Sequence, residues 1–405
     1  MELYYYIALA AIVSQLLLLI QTYKNYRYAL HKHKRDHFWY KPPTVLIVPC
    51  KGLDSAFHEN ISSFYRQDYE DYLLWFVVGE ESDPAYSELR KLKDRLGPDS
   101  KAKDVQIFVA GPGQSRSQKI HNLLHCYEKI PDDIEVMAFA DSDTCVRNSW
   151  LSNIVHPLRS DKNGVASGYR WFVPNTNNLA SLALSAMNAK VAQFLGNTRF
   201  NQAWGGSMAI KVEVFRKLGL DEIWPKSLSD DLSVSTAVKK AGMKVAFVPA
   251  CLVASYESTT WADLFEFGRR QFLITRVYAP RTWLFGLFSA LYSVLGVWAT
   301  AAVAIYAAVI GYEHVTLFAS VPVVFFANQV GRAVMRQAMA SKLLGQERKT
   351  MRVAAAADIL ACWLWSLILL PFILSSAFGR TISWRGIRYR LLSPTETIVV
   401  SANKP

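Results

Sequence analysis

The chain has 405 residues, 51% of them hydrophobic and 19% charged, with 45 Lys plus Arg against 33 Asp plus Glu. That composition excludes a disordered chain, and the length suits one large domain or two ordinary ones. Five cysteines with neither a Cys-x-x-Cys pair nor Cys/His ligand spacing exclude a disulfide framework, and a net charge of +12 leaves nucleic acid, an anionic membrane surface or a phosphate-rich substrate as partner classes.

Residues 3–23 carry no charge. They are long enough to cross about 30 Å of hydrocarbon. No basic residue precedes the run and no small-x-small site follows it, so a membrane span fits better than a cleaved signal peptide. Residues 23–41 then hold six Lys/Arg against one Asp, with Tyr and Trp interleaved. Basic flanks stay on the cytoplasmic side and aromatic rings settle at headgroups, so the basic surplus reads as membrane topology and no nucleic-acid partner is expected.

The middle lacks a spanning run. Short β-branched or apolar runs predict strands at 44–49, 72–79, 105–111, 134–143 and 244–255, with helical spacing at 58–69, 83–97 and 118–130. This order implies an α/β fold: a mostly parallel sheet with helices on both faces. Such sheets bind ligands beyond the carboxyl ends of their strands. In the last third, 261–283 reads as an interfacial amphipathic helix, and 284–311, 315–331 and 359–379 are uncharged. Residues 332–352 carry six Lys/Arg and one Glu, and 380–390 four Arg. Four simple crossings would put that basic tail opposite the catalytic middle. The positive-inside bias instead expects the tail to be cytoplasmic, with either the last run re-entrant or one of 284–311 and 315–331 not crossing simply. Asp358 reads as a residue at the edge of the last run. The expected organisation is a transmembrane helix 1–23, a basic linker 24–42, a catalytic domain 43–256, an interfacial helix 257–283, a transmembrane region 284–379 and a basic tail 380–405.

Asp141 and Asp143 follow the predicted strand directly. Two carboxylates at a strand mouth suit a hard divalent cation whose shell is completed by phosphates and water, although the pair also fits an ordinary Asx turn. Asp230 and Asp231 precede a helix. They serve either to cap it, with Ser227 or Ser229, or as a general base taking a proton from an acceptor hydroxyl. Lys119 opens a helix after a Gly/Ser loop and suits a diphosphate; an ordinary solvated Lys is the alternative. Trp204-Gly205-Gly206 permits close backbone approach to a sugar or acceptor, or only makes a turn. Arg269, Arg270, Gln271 and Arg276, interleaved with aromatics, suit either an interfacial helix or contacts to a pyrophosphate.

With PCKG (49–52), ESDPA (81–85), QKIHNL (118–123), ADSD (140–143), SDDLSVSTAV (229–238) and TISWRGIRYRL (381–391) in this order, the chain resembles family 2-like membrane glycosyltransferases of the GT-A fold, and more closely the ceramide glucosyltransferases. The resemblance implies an inverting transfer of a hexose, glucose first, from a UDP-sugar to a membrane lipid hydroxyl. Ceramide is the expected acceptor and glucosylceramide the product. It implies Mg2+ or Mn2+ at Asp141 and Asp143, Asp231 as the base with Asp230 beside it, and Lys119 near the diphosphate. It implies Glu80 near the uridine, with Asp83 as the alternative, and places Pro49 and Lys51 in the UDP-sugar site. Two departures stand out: Glu80 replaces an Asp, and Arg269-Arg270-Gln271-Phe272 lacks the Trp of the (Gln/Arg)-x-x-Arg-Trp motif. The second favours a bacterial inner membrane over the Golgi. A processive polysaccharide synthase and a non-catalytic transporter or scaffold are the competing expectations; the oligomeric state is open.

Overall fold

The computed structural model describes residues 2–33, 39–54, 56–113 and 116–402. Residues 34–38 of the basic linker, 114 and 115 of the Gly/Ser loop and the end of the tail lie outside the described residues.

Among these residues seven strands form the central sheet: β1 (Thr44–Pro49), β2 (Tyr72–Val78), β3 (Asp104–Val109), β4 (Val136–Ala140), β5 (Asn163–Pro174), β6 (Ser207–Lys211) and β7 (Lys244–Glu257). Their order is β3-β2-β1-β4-β6-β5-β7. β1 to β4 are parallel, β6 runs antiparallel to β4 and β5, and β5 pairs parallel with β7. This is a mostly parallel sheet covered by helices on both faces, as expected. The apolar run of β1 is continuous because both its faces are covered. Leu46 and Val48 pack into one core with Leu74, Phe76 and Ala138, whereas Val45 and Ile47 pack into the other with Trp75, Met137 and Phe139. Each such fully buried side chain contributes about 1.5–3 kcal/mol.

β5 and β6 were not among the expected strands. They bring the chain back through the sheet so that β6 starts at the rim where β4 ends, with Ala140 paired to Ser207. A register shift between Ser167 and Tyr169 kinks β5. Gly168 sits at the kink, where a Cβ would meet Cys251 O at 2.1 Å.

Three described helices are long and apolar enough to cross a membrane: Tyr4–His33, Pro280–Val309 and Val315–Leu343. The first runs unbroken from Glu2 to His33, beyond the expected end at 23. The fourth apolar run is a pair, Arg352–Leu360 and Trp365–Ser376, bent by 88° at its break. Asp358 is fully buried in that pair rather than at an edge. It accepts from Arg336 Nε at 2.7 Å and Nη2 at 2.5 Å, and from Gln337 Nε2 at 2.6 Å.

The basic tail is folded. β8 (Thr381–Trp384), β9 (Ile387–Ser393) and β10 (Glu396–Ala402) form an antiparallel sheet. Its buried face, Ile382, Tyr389 and Leu391, packs with Leu228, Leu273 and Tyr278 next to the catalytic rim. The tail therefore packs against residues next to the start of helix Asp230–Lys240.

Candidate active site

The polar loops converge above the carboxyl ends of β1 and β4 and the start of β6. Asp141 follows β4, and its N–H donates to Gly206 O at 3.3 Å. Lys119 lies in the first turn of helix Gln118–Tyr127, capped by Ser117, whose Oγ accepts from Ile120 N at 3.2 Å. Its ammonium bridges two elements, with Nζ 2.8 Å from Asp141 Oδ1 and 3.1 Å from Asp230 Oδ2. Asp230 and Asp231 open helix Asp230–Lys240, capped by Ser229. Capping and clustering thus coexist here. Asp231 Oδ1 accepts from Leu232 N at 2.7 Å and Ser229 Oγ at 2.5 Å, while Oδ2 accepts from Gly205 N at 3.2 Å.

The glycines are sterically required. A Cβ on Gly205 would lie 2.2 Å from Asp230 Oδ2 and 2.8 Å from Lys119 Nζ; one on Gly206 would lie 2.5 Å from Asp141 Oδ2. Trp204 packs below, with the Arg170 guanidinium 5.1 Å from its ring.

Charge is unevenly balanced. Burial opposes ionisation of Asp141, but Lys119, Arg170 and Arg385 together outweigh it and hold that carboxyl below its usual range. Burial pushes Asp143 up, with Asp141 and Asp54 adding to the rise against Arg170, whose Nη1 is 3.8 Å from Oδ2. Asp230 is pushed up to about 6, chiefly by burial. Asp143 Oδ1 and Asp54 Oδ2 are both buried without a hydrogen-bond partner. Among the described residues no three His, Cys, Asp or Glu side chains could hold a metal by themselves. The donor set nonetheless fits a Mg2+-like ion: two carboxylates, one with an orphaned oxygen, and room for phosphate and water to complete the shell.

Most of the expected residues share one cavity of about 810 Å³, lined by Pro49, Lys51, Lys119, Asp141, Asp143, Trp204, Asp230, Asp231, Arg270 and Gln271. Gly205 and Gly206 lie beside it without lining it, as does Arg269, which donates to Thr381 O at 3.2 Å and Phe378 O at 3.0 Å, and three further expected residues stand apart from it. Glu80 is exposed after β2, where Ser82 Oγ donates to it at 3.1 Å. Asp83 caps helix Pro84–Leu96 through Ala85 N and also accepts from Gly52 N, both at 2.9 Å, so it braces the loop after β1. Arg276 donates to Ala377 O and Gly379 O, satisfying carbonyls beyond the last apolar helix rather than facing a diphosphate. Arg270 lines the cavity and also donates to Ser383 O at 3.3 Å.

Sequence reasoning missed Arg170, Asp54 and Arg385. Arg385 occupies the β8–β9 turn with φ at 47°. Its Nη1 donates to Lys51 O at 2.7 Å, Lys51 Nζ donates back to Arg385 O at 3.4 Å, and the side chain lines the cavity. The motif that glycosyl-transfer chemistry alone does not demand, TISWRGIRYRL, is therefore a hairpin whose tip overlies the acidic rim. Arg170 carried a signal of its own, a lone cation inside the aromatic strand GYRWF.

The sheet, the acidic rim and the apolar helices together define a membrane-associated glycosyltransferase class. The chain belongs to glycosyl transferase family 21, whose profile matches residues 3–397. It is 24% identical over 255 residues to ceramide glucosyltransferase 1 of Caenorhabditis elegans, a match covering 59% of this chain and 51% of the relative. Over 106 residues it is 29% identical to ceramide glucosyltransferase 3 of the same organism, covering 26% of this chain and 22% of the relative. The chain thus spans about half or less of the length of these curated relatives. Among solved structures it is similar to a mannosyltransferase from Pyrobaculum calidifontis in complex with GDP-Man and Mn2+, at 15% identity and a TM-score of 0.44, covering 91% of this chain and 97% of that one.

Proposed function

We propose that this protein transfers a hexose, glucose first, with inversion from a UDP-sugar to the hydroxyl of a membrane lipid, ceramide first. One observation carries the reading: a single cavity joins the acidic rim to the apolar helices, with Lys119, Asp141 and Asp231 at one end and Leu18, Phe285, Leu369 and Ile373 at the other. A nucleotide sugar lies with its leaving diphosphate toward Lys119 and Arg385, whose fixed charges stabilise the negative charge that develops there. Asp231 Oδ2 takes the proton of the lipid hydroxyl, whose oxygen attacks the anomeric carbon as UDP departs. Asp141 and Asp143 would hold Mg2+ or Mn2+, which supplies Lewis-acid neutralisation of the diphosphate. The catalytic side faces the cytoplasm, as the basic segments 24–41 and 332–352 favour. Three crossings with a re-entrant bent pair return the tail to that side. The missing Trp of the arginine motif favours a bacterial inner membrane.

Mass spectrometry of lipids from a host lacking glycolipids, before and after expression, tests the reading. A new monohexosyl lipid supports it; a polymer, or no new lipid, contradicts it. Chelation with EDTA is expected to abolish transfer, with recovery on Mg2+ or Mn2+; undiminished turnover in EDTA would remove the metal. Gly205→Ala is expected to cut transfer about a hundredfold, since an ångström-scale displacement of the Asp230–Lys119 pair misplaces reacting groups. Arg385→Ala is expected to raise the KM for the UDP-sugar about tenfold while kcat changes less, as loss of one charge-assisted contact requires. An unchanged KM would confine the hairpin tip to a structural role.

A further inference from the structure

The cavity's inner end is polar and cationic. Lys190 Nζ donates to Ser366 Oγ at 2.5 Å, Ser366 Oγ lies 2.8 Å from Ser293 Oγ, and Gln329 Nε2 donates to Ser293 Oγ at 3.0 Å. Gln329 is 8% exposed and lines the cavity, yet its Oε1 has no partner. Arg332 packs over the Phe194 ring at 5.5 Å and donates through Nε to Thr22 Oγ1 at 3.2 Å. Arg336, beside them, is matched by Asp358 at 2.5 Å. Among the described residues neither Lys190 nor Arg332 has a carboxylate within ion-pair distance, so two cations face the cavity uncompensated. Burial, then Arg336 and Arg332, push Lys190 down to about 7 against the opposing pull of Asp358, and an anion placed beside it would favour the ammonium.

Thr22 and Arg332 lie where the uncharged runs 3–23 and 315–331 end. Helices Glu2–His33 and Val315–Leu343 run side by side, with Tyr4 against Phe318 at one end and Thr22 against Arg332 towards the end that joins the catalytic domain. Cations at that level meet the phosphates of the adjoining leaflet.

We propose that this inner end binds a lipid phosphate, with Lys190 and Arg332 on its oxygens, Gln329 Oε1 accepting a neighbouring hydroxyl, and the acyl chains along Leu18, Leu369 and Ile373. The orientation rests on the cavity being the acceptor's path; the binding itself is read without turnover. The phosphate belongs either to the acceptor or to a companion lipid beside a neutral one.

The test is native mass spectrometry of the full chain released from nanodiscs of equal parts phosphatidylglycerol and phosphatidylcholine. Wild type is expected to retain phosphatidylglycerol about tenfold over phosphatidylcholine, because the choline ammonium beside the latter's phosphate is repelled by Lys190 and Arg332, a like-charge contact worth about one decade in binding. The double variant Lys190→Gln/Arg332→Gln is expected to lose that preference, and Lys190→Arg to keep it. Equal retention by wild type, which needs no variant, or an unchanged preference in the double variant, overturns the site. Labelled UDP-glucose separates the sources. Label in phosphatidylglycerol makes the phosphate lipid the acceptor, and label only in added ceramide makes it the companion; both outcomes support the site. Absence of transfer to any lipid would count against the transferase reading while leaving the retention measurement decisive.

Discussion

Asp231→Asn is expected to reduce kcat about a thousandfold, with the KM for the UDP-sugar nearly unchanged. A positioned general base contributes about 10²–10⁴-fold. Asn keeps the size and one acceptor oxygen but cannot take a proton. Asp231 accepts from Leu232 N and Ser229 Oγ on one oxygen and from Gly205 N on the other; the Asn oxygen keeps the first pair while its NH2 gives up the 3.2 Å contact to Gly205 N, so an unchanged KM is what separates lost chemistry from displacement. Steady-state kinetics with saturating lipid read the split. A rise in KM with kcat intact would make Asp231 a donor-binding group instead.

Lys119→Met is expected to abolish transfer and to destabilise the catalytic domain as well. The ammonium sits between Asp141 and Asp230, and its side chain is only 16% exposed. Removing one partner of a buried ion pair costs about 3–5 kcal/mol, because the remaining charges stay buried and unpaired. Here two carboxylates would be left facing each other. Thermal aggregation in detergent and UDP binding are the measurements. A variant that unfolds at the wild-type temperature and binds UDP equally well would show that Lys119 is an ordinary surface residue. Lys119→Arg keeps charge and is expected to restore stability more than activity.

The parallel half of the sheet was legible because its strands are uninterrupted apolar runs closed by polar or glycine turns. β4 followed by Asp141 and Asp143 is one such signature. β5 was not legible: Asn163–Pro174 contains two glycines, a kink at Gly168 and an arginine in the middle, which breaks both alternation and apolar continuity. β6 is five residues long, too short to stand out. In the tail, a period-two pattern was present in Ile387-Arg388-Tyr389-Arg390-Leu391, but the arginine count masked it. The alternation places Tyr389 and Leu391 inside and the arginines outside.

Residues whose places in the cavity follow from local position, such as Asp141 after its strand and Asp231 at its helix start, were within reach of sequence. Arg385 reaches Lys51 and Asp54 comes close enough to Asp143 to raise its carboxyl, both across long stretches of chain, and sequence spacing carries no trace of these. Arg276 shows the converse. An arginine before a membrane run invites a phosphate, yet its guanidinium is spent on the free carbonyls of a helix end. The conflict over the tail has a related origin. Charge bias argues for a cytoplasmic tail, and the 88° bend in the fourth apolar run is the feature that would let the chain return to that side.

A density map of the full chain in nanodiscs with UDP and Mn2+ bears most directly on the whole reading. Nucleotide is expected with its diphosphate beside Lys119 and Arg385 and its ion on Asp141 and Asp143, with lipid density entering the same cavity from between the apolar helices. Nucleotide bound away from these residues, or a cavity sealed from the bilayer by protein, would contradict it.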